Sequence, residues 1–109
     1  QDWRFEPEPG LRLTLLIGDV LPALQRCAAL VPGGVNAVYL DGFAPAVNPA
    51  MWTPQVMAAV ARLCASGARA ASWCVAHPVR AALAEAGFAV RKAPGLPPKR
   101  HSLQAHLPT

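Results

Sequence analysis

Two carboxylates stand where short apolar runs end: LRLTLLI gives way to Gly18-Asp19, and VYL gives way to Asp41-Gly42-Phe43. A carboxylate at the end of a strand can cap the next helix, accept a hydrogen bond from a ligand N–H, or take its proton. Asp19 directly precedes a helical pattern and is expected to cap it. Asp41 lies too far ahead of Thr53 to cap the helix that starts there, so an Asx-turn with Phe43 or Ala44 is its structural alternative to work on a ligand. His77, just before Pro78, is a third strand-end candidate. Its neighbours supply no second ligand at metal spacing, so it reads as a helix-entry residue and no metal site is expected.

Several chemistries are excluded by what is missing. The sequence has no G-x-S-x-G elbow, no GKS or GKT phosphate loop and no G-x-G-x-x-G. An aspartyl phosphatase needs a second acid two residues after the first, and Asp41 is followed by Gly42 and Phe43. Cys27, Cys64 and Cys74 are odd in number, lack C-x-x-C spacing and sit in apolar runs, the pattern of reduced, buried thiols in a cytosolic protein.

The elements that must position these residues alternate along the chain, which argues for an α/β layer fold. Strands are expected at 11–17, 36–40, 68–75, from Phe88 to Lys92, and over HSLQAHL at 101–107. Helices are expected from about Val20 to Leu30, from Thr53-Pro54 to a close at Ser66-Gly67, and from Pro78 to Ala86, with Gly87 as a stop. The first should bury Leu21, Leu24, Ala28 and Val31, the second Val56, Met57, Val60, Leu63 and Cys64, the third Val79, Ala82, Leu83 and Ala86. PGLPP, residues 94–98, is too short a link to let its two strands run parallel. Residues 1–10 carry no clear pattern and are expected as an irregular lead-in. In open α/β sheets ligands bind beyond the carboxyl ends of the strands, where Asp19, Asp41 and His77 fall.

With 109 residues and 53% hydrophobic content the chain is at most one domain. Its apolar runs fall short of the roughly 20 residues of a membrane span, so no membrane partner is expected. The net charge of +4 is unevenly placed. Residues 1–41 hold five acids and three bases, whereas 42–109 hold seven bases and only Glu85. The second half therefore leans towards polyanions.

LDGFAPAVNPAMWTP, residues 40–54, resembles the signature of the MnmC methyltransferase family, where a near-identical run follows the fourth strand of an S-adenosylmethionine-dependent methyltransferase fold. LTLLIGDV resembles the family's third strand with its Gly-Asp, and the ARL segment, Val79-Arg80, AGFAVRKAPG and Lys99-Arg100 follow in family order. The resemblance implies a partial Rossmann-like fold of three layers, with a mainly parallel sheet and an antiparallel last strand. It also implies that residues 1–109 correspond to the C-terminal portion of such a domain, without the glycine-rich loop that cradles the methionine end of the cofactor. On that expectation the chain alone is an incomplete and inactive fragment, with strand edges bared for self-association or swapping.

Known members are cytoplasmic bacterial enzymes of tRNA modification. They methylate an aminomethyl group on the wobble uridine, and many are fused to an FAD-dependent oxidase; FAD is implied here only if such a domain follows. Carried over, Gly18 and Asp19 match the site of the adenosine end of the cofactor, and Asp41 and Phe43 match the place where methyl donor and amine meet. Asp41 is the implied catalytic residue. Phe43, Pro45, Asn48 and Trp52 would wall the substrate site, with packing beneath the loop the alternative for Phe43 and a core position the favoured alternative for Trp52 beside a helix start, and Arg80, Lys99 and Arg100, with Arg91 and Lys92, would meet tRNA phosphates. At SWCVAHPVR the chain departs from the family's Thr-Phe-Thr strand end, and His77-Pro78 alters the rim of the pocket. The alternative from another class is a non-catalytic α/β module that binds RNA or a protein through the basic half.

Overall fold

The structure, a computed structural model, describes residues 2–41, 48–98 and 101–108. The first ten residues are more regular than expected. β1 (Trp3–Glu8) pairs antiparallel with β2 (Leu11–Leu15), bringing Trp3 opposite Leu15 and Phe5 opposite Leu13. The overlooked signal is the alternation Trp3-Arg4-Phe5-Glu6 ahead of Pro9-Gly10, where Pro7 and Pro9 argue against a strand. Pro7 is tolerated because the register shifts between Phe5 and Glu8, interrupting the ladder there, and Pro9 lies beyond the strand in the turn. The Glu6 carboxylate accepts from the Gly10 N–H at 3.0 Å and closes the turn.

α1 (Val20–Leu30) has the expected bounds. Arg26 on it donates from Nε and Nη2 to the two oxygens of Asp2, each at 3.0 Å, and from Nη2 to the Ile17 carbonyl at 3.1 Å. This fork holds the hairpin's free end against the helix. The hydrogen bond from Arg26 keeps the Asp2 carboxyl below its ordinary pKa and raises that of the guanidinium. The buried stripe of α1 is rotated from the expected one. Val20, Leu24 and Val31 are half-buried, together with Ala23 and Cys27, while Leu21 and Ala28 are exposed. The main contact of this helix is with the helix Pro54–Leu63, and only a narrow stripe is covered.

The main sheet has the order β3 (Val35–Tyr39), β4 (Cys64–Ser72), β6 (His101–His106), β5 (Ala89–Pro94). β3 and β4 are parallel, and β6 pairs antiparallel with both β4 and β5. Thus β3, β4 and β5 share one direction and the last strand is inserted against them, as expected for a mainly parallel sheet. The partners Lys92↔Leu103 and Val90↔Ala105 set the alternation that buries Leu103 and Ala105.

α2 (Pro54–Leu63) starts as its sequence dictates. The Thr53 hydroxyl accepts from the Val56 N–H at 3.2 Å and Pro54 occupies the first turn, where its missing donor costs nothing. α3 (His77–Glu85) ends in a Schellman motif: the Phe88 N–H reaches the Leu83 carbonyl at 3.0 Å and the Gly87 N–H that of Ala84 at 3.1 Å. α1 lies against α2 and α2 against α3. Val56, Met57, Val60, Val79, Leu83 and Phe88 join Ala70, Leu103 and Ala105 of the sheet in one core. Of the three layers expected, the described residues supply two. The other sheet face, with Ala37, Tyr39, Arg69, Arg91, Gln104 and His106, is an open concavity of about 650 Å³.

Gly34 makes the tight approach between the α1–β3 turn and the start of β4. Its φ is +90°, and a Cβ built there would lie 2.7 Å from the Ala65 nitrogen. Gly34→Ala therefore combines backbone strain with a clash against main chain that cannot rotate away. It is expected to destabilise the fold by about 1–3 kcal/mol, read as a lower urea midpoint.

Candidate active site at the strand ends

The carboxyl end of β3 is fixed by its neighbour β4. Tyr39 is the last ladder partner, opposite Ala71, and the Leu40 N–H still reaches the Ala71 carbonyl at 2.9 Å. Asp41 follows, exposed, on the rim of a cleft of about 300 Å³ that it shares with Tyr39, Ser72, Trp73, Ser102 and Gln104. Trp73 is 45% exposed and Tyr39 83%, so the acid has aromatic surface beside it. The larger concavity on the open sheet face adjoins this cleft, sharing Tyr39, Ala71 and Gln104 with it, but neither Asp19 nor Asp41 lines it. The smaller cleft is the one whose composition could serve chemistry.

Asp19 occupies the N-cap position of α1 by its backbone, and its carbonyl accepts from Ala23 N–H at 3.1 Å. Its side chain makes no capping hydrogen bond, contrary to the expected cap, and the residue is exposed. Gly18 before it has φ +135°, so the chain turns into the helix through a conformation that other residues rarely adopt. A bare carboxylate after a glycine turn suits the donors of an adenine amino group or a ribose. Asp19 does not line the Asp41 cleft.

The other predicted residues are dispersed. Trp52 is 7% exposed and belongs to the core, the alternative that its place beside a helix start favours: the 3₁₀ turn Pro49–Trp52 packs against α2 and α3. Asn48 is half-buried and starts that turn. Arg80 is half-buried and donates from Nε to the Val75 carbonyl at 3.0 Å, bracing the β4–α3 loop. Arg91 and Lys92 do not form one patch. Adjacent strand residues face opposite ways; Arg91 bonds Gln104 on the open face, and Lys92 lies opposite the buried Leu103. Phe43, Pro45, Lys99 and Arg100 lie outside the described residues.

His77 is exposed in the first turn of α3, and among the described residues no group of three or more His, Cys, Asp or Glu could hold a metal ion. The three thiols are free but only half-buried, and burial pushes the Cys64 thiol up. No helix among the described residues is long and apolar enough to cross a membrane.

Ser72 and Trp73 line the Asp41 cleft, and the sequence reading did not single them out. The strand was expected to continue to Val75, which put both in its interior; β4 ends at Ser72, and the rule that strand ends carry ligands then points to this pair.

The mainly parallel sheet with helices packed on one face defines an α/β protein of the partial Rossmann-like class. Residues 2–108 match the family described as S-adenosyl-L-methionine-dependent methyltransferase, and the chain belongs to that family. It is 52% identical over 95 residues to the tRNA 5-methylaminomethyl-2-thiouridine biosynthesis bifunctional protein MnmC of Paracidovorax citrulli, covering 87% of this chain and 14% of that protein. The protein of that name from Delftia acidovorans is 46% identical over 93 residues, covering 85% and 14%. The chain thus spans about 14% of the length of these curated relatives. A solved structure of MNMC2 from Aquifex aeolicus superposes with a TM-score of 0.67 at 24% identity, over 80% of this chain and 30% of that one, and shows the same fold.

Proposed function

We propose that the protein carrying these residues methylates the aminomethyl group of a wobble uridine in tRNA, and that Asp41 is its catalytic residue. The observation that carries the reading is the exposed Asp41 carboxylate on the rim of the strand-end cleft, beside Trp73. The printed names of the relatives, which place them in the biosynthesis of 5-methylaminomethyl-2-thiouridine in tRNA, supply the substrate class.

Gly18 and Asp19 would hold the adenosine end of S-adenosylmethionine, which fits a carboxylate left free of its capping role. When bound, that cofactor supplies an electrophilic methyl group on a sulfonium. The protein's own part is to hold a neutral amine in line and to receive its proton. Asp41 would accept an N–H of the amine, orient the nitrogen lone pair, and take up the proton the nitrogen gives up when it gains the methyl group and the sulfonium leaves as a neutral thioether. Phe43 and Pro45 would line the same site, and Asn48 would stiffen its wall. Arg80, Lys99 and Arg100 would meet the tRNA backbone, giving salt-dependent affinity.

A cytoplasmic location follows from a tRNA substrate. The word bifunctional in the relatives' names fits a second activity elsewhere in the polypeptide, for which we propose an FAD-dependent oxidase. β3 and β5 are the edges of the main sheet among the described residues, and self-association of the isolated chain would use the β3 edge.

The test is transfer of a radiolabelled methyl group from S-adenosylmethionine to tRNA bearing the aminomethyl nucleoside, by the full-length gene product. Label in the modified uridine is expected; label absent from that nucleoside overturns the reading.

A further inference from the structure

Among the described residues Ser72 is the buried polar side chain, 8% exposed, and its hydroxyl is used twice. Its Oγ donates to the Leu40 carbonyl at 2.8 Å and accepts from the Cys74 N–H at 3.1 Å. The first bond reaches across from β4 to the peptide unit that ends at Asp41. A peptide unit is planar, so the Leu40 carbonyl, the Asp41 nitrogen and the Asp41 Cα move together. The Leu40 N–H is already held by the Ala71 carbonyl at 2.9 Å, one step beyond the last ladder pair. With both the donor and the acceptor of Leu40 engaged, the strand direction is fixed up to the Cα that carries the acid.

The second bond does the same for the opposite wall of the cleft. A hydroxyl accepting from the N–H two residues on makes a local turn. This one redirects the chain after β4 at Trp73, which lines the same cleft as Asp41. One side chain therefore locks the two strand exits that carry the acid and the aromatic wall.

We infer that Ser72 is a positioning residue for methyl transfer: its hydroxyl sets the place of Asp41 and of Trp73 relative to one another. The inference rests on the methyltransferase reading above. Ser72 itself lies beneath the acid, on the core side of the sheet, opposite Leu103. It acts through the backbone of the residues that meet the amine, and removing it should misplace them without removing any binding group. Misplacement of about 1 Å at a reacting centre lowers rates by roughly 100-fold, so the loss should appear in turnover rather than in binding.

The experiment compares Ser72→Ala and Ser72→Thr in the full-length gene product, with the unsubstituted protein assayed alongside and folding checked by circular dichroism. Ser72→Ala is expected to lower kcat roughly 10- to 100-fold with KM for tRNA changed by less than about twofold, and Ser72→Thr, which keeps the hydroxyl, to restore most of the rate. In an Asp41→Glu background, which already displaces the carboxylate, Ser72→Ala should cost less than about threefold. A folded Ser72→Ala protein with kcat within twofold of the unsubstituted one overturns the inference, as does an equal loss in both backgrounds. If Ser72→Ala does not fold, Ser72→Thr decides: a folded Thr variant with the low rate overturns it. If the unsubstituted protein transfers no methyl group, the functional reading fails first and the inference falls with it.

Discussion

Replacing Asp41 by Asn is expected to lower kcat/KM for tRNA methylation by roughly 10²- to 10⁴-fold, the usual worth of a positioned acid–base group. At about 1.36 kcal/mol per factor of ten, this is roughly 2.7–5.5 kcal/mol of transition-state stabilisation. Asn keeps the size and can still accept from the amine N–H through its amide oxygen, but it cannot take the proton. The substitution therefore separates orientation from proton removal. If orientation alone mattered, the loss would fall near the low end of the range and would not change with pH. Asp41 is exposed, so the same change should leave the unfolding midpoint within about 0.5 kcal/mol of the original. A large loss of rate with unchanged stability places Asp41 in the chemistry; a rate within a few-fold of the original removes it.

What was legible in the sequence follows from how local each signal is. The cap at Thr53-Pro54 and the stop at Gly87 depend on neighbours within one turn, and both stand as read. The alternation of Leu103 and Ala105 is equally local and puts them at 1% and 6% exposure. The stripe of α1 is not local: Leu21 and Ala28 share the apolar spacing of Leu24, and only the position of α2 decides which of them is covered. Likewise Trp52 beside a helix start has two physical futures, a wall for a ligand or a core residue, and the inward 3₁₀ turn selects the second.

The site divides in the same way. Asp41 could be singled out as a candidate because an acid ending an apolar run has few structural roles once its distance from the next helix is counted, and it lines the strand-end cleft. Ser72 could not, because a serine inside an apolar strand offers no clue that its hydroxyl will cross to a neighbouring strand 32 positions away in sequence. Asp19 shows the opposite error. Its position before a helix made capping the natural reading, yet the backbone alone supplies the N-cap geometry and leaves the carboxylate free.

Leu83→Ala is expected to cost about 2–5 kcal/mol, the range for a fully buried leucine whose surroundings cannot collapse. Leu83 is 0% exposed on α3, and its carbonyl accepts the Phe88 N–H that closes the Schellman motif. Phe88, 4% exposed, belongs to the same apolar cluster, so the truncation also removes the contact that normally accompanies this helix end. Relaxation is limited on every side: the Gly87 turn is pinned by its own hydrogen bond to Ala84, and β5 follows immediately in the sheet. A domain of this length is stable by only about 5–15 kcal/mol, so a loss of this size is a large part of the total. Urea unfolding followed by circular dichroism should show a clearly lower midpoint with an unchanged slope. Leu96→Ala, at a leucine 69% exposed, is the matched control and should stay within about 0.5 kcal/mol. Because Leu103 belongs to the core and also lines the Asp41 cleft, the cavity opened beneath the sheet lies in the same packed layer as the site. A Leu83→Ala protein that lost less than about 1 kcal/mol would mean that this layer is soft enough to refill the space, and a soft layer could not hold Asp41 and Trp73 at a fixed separation.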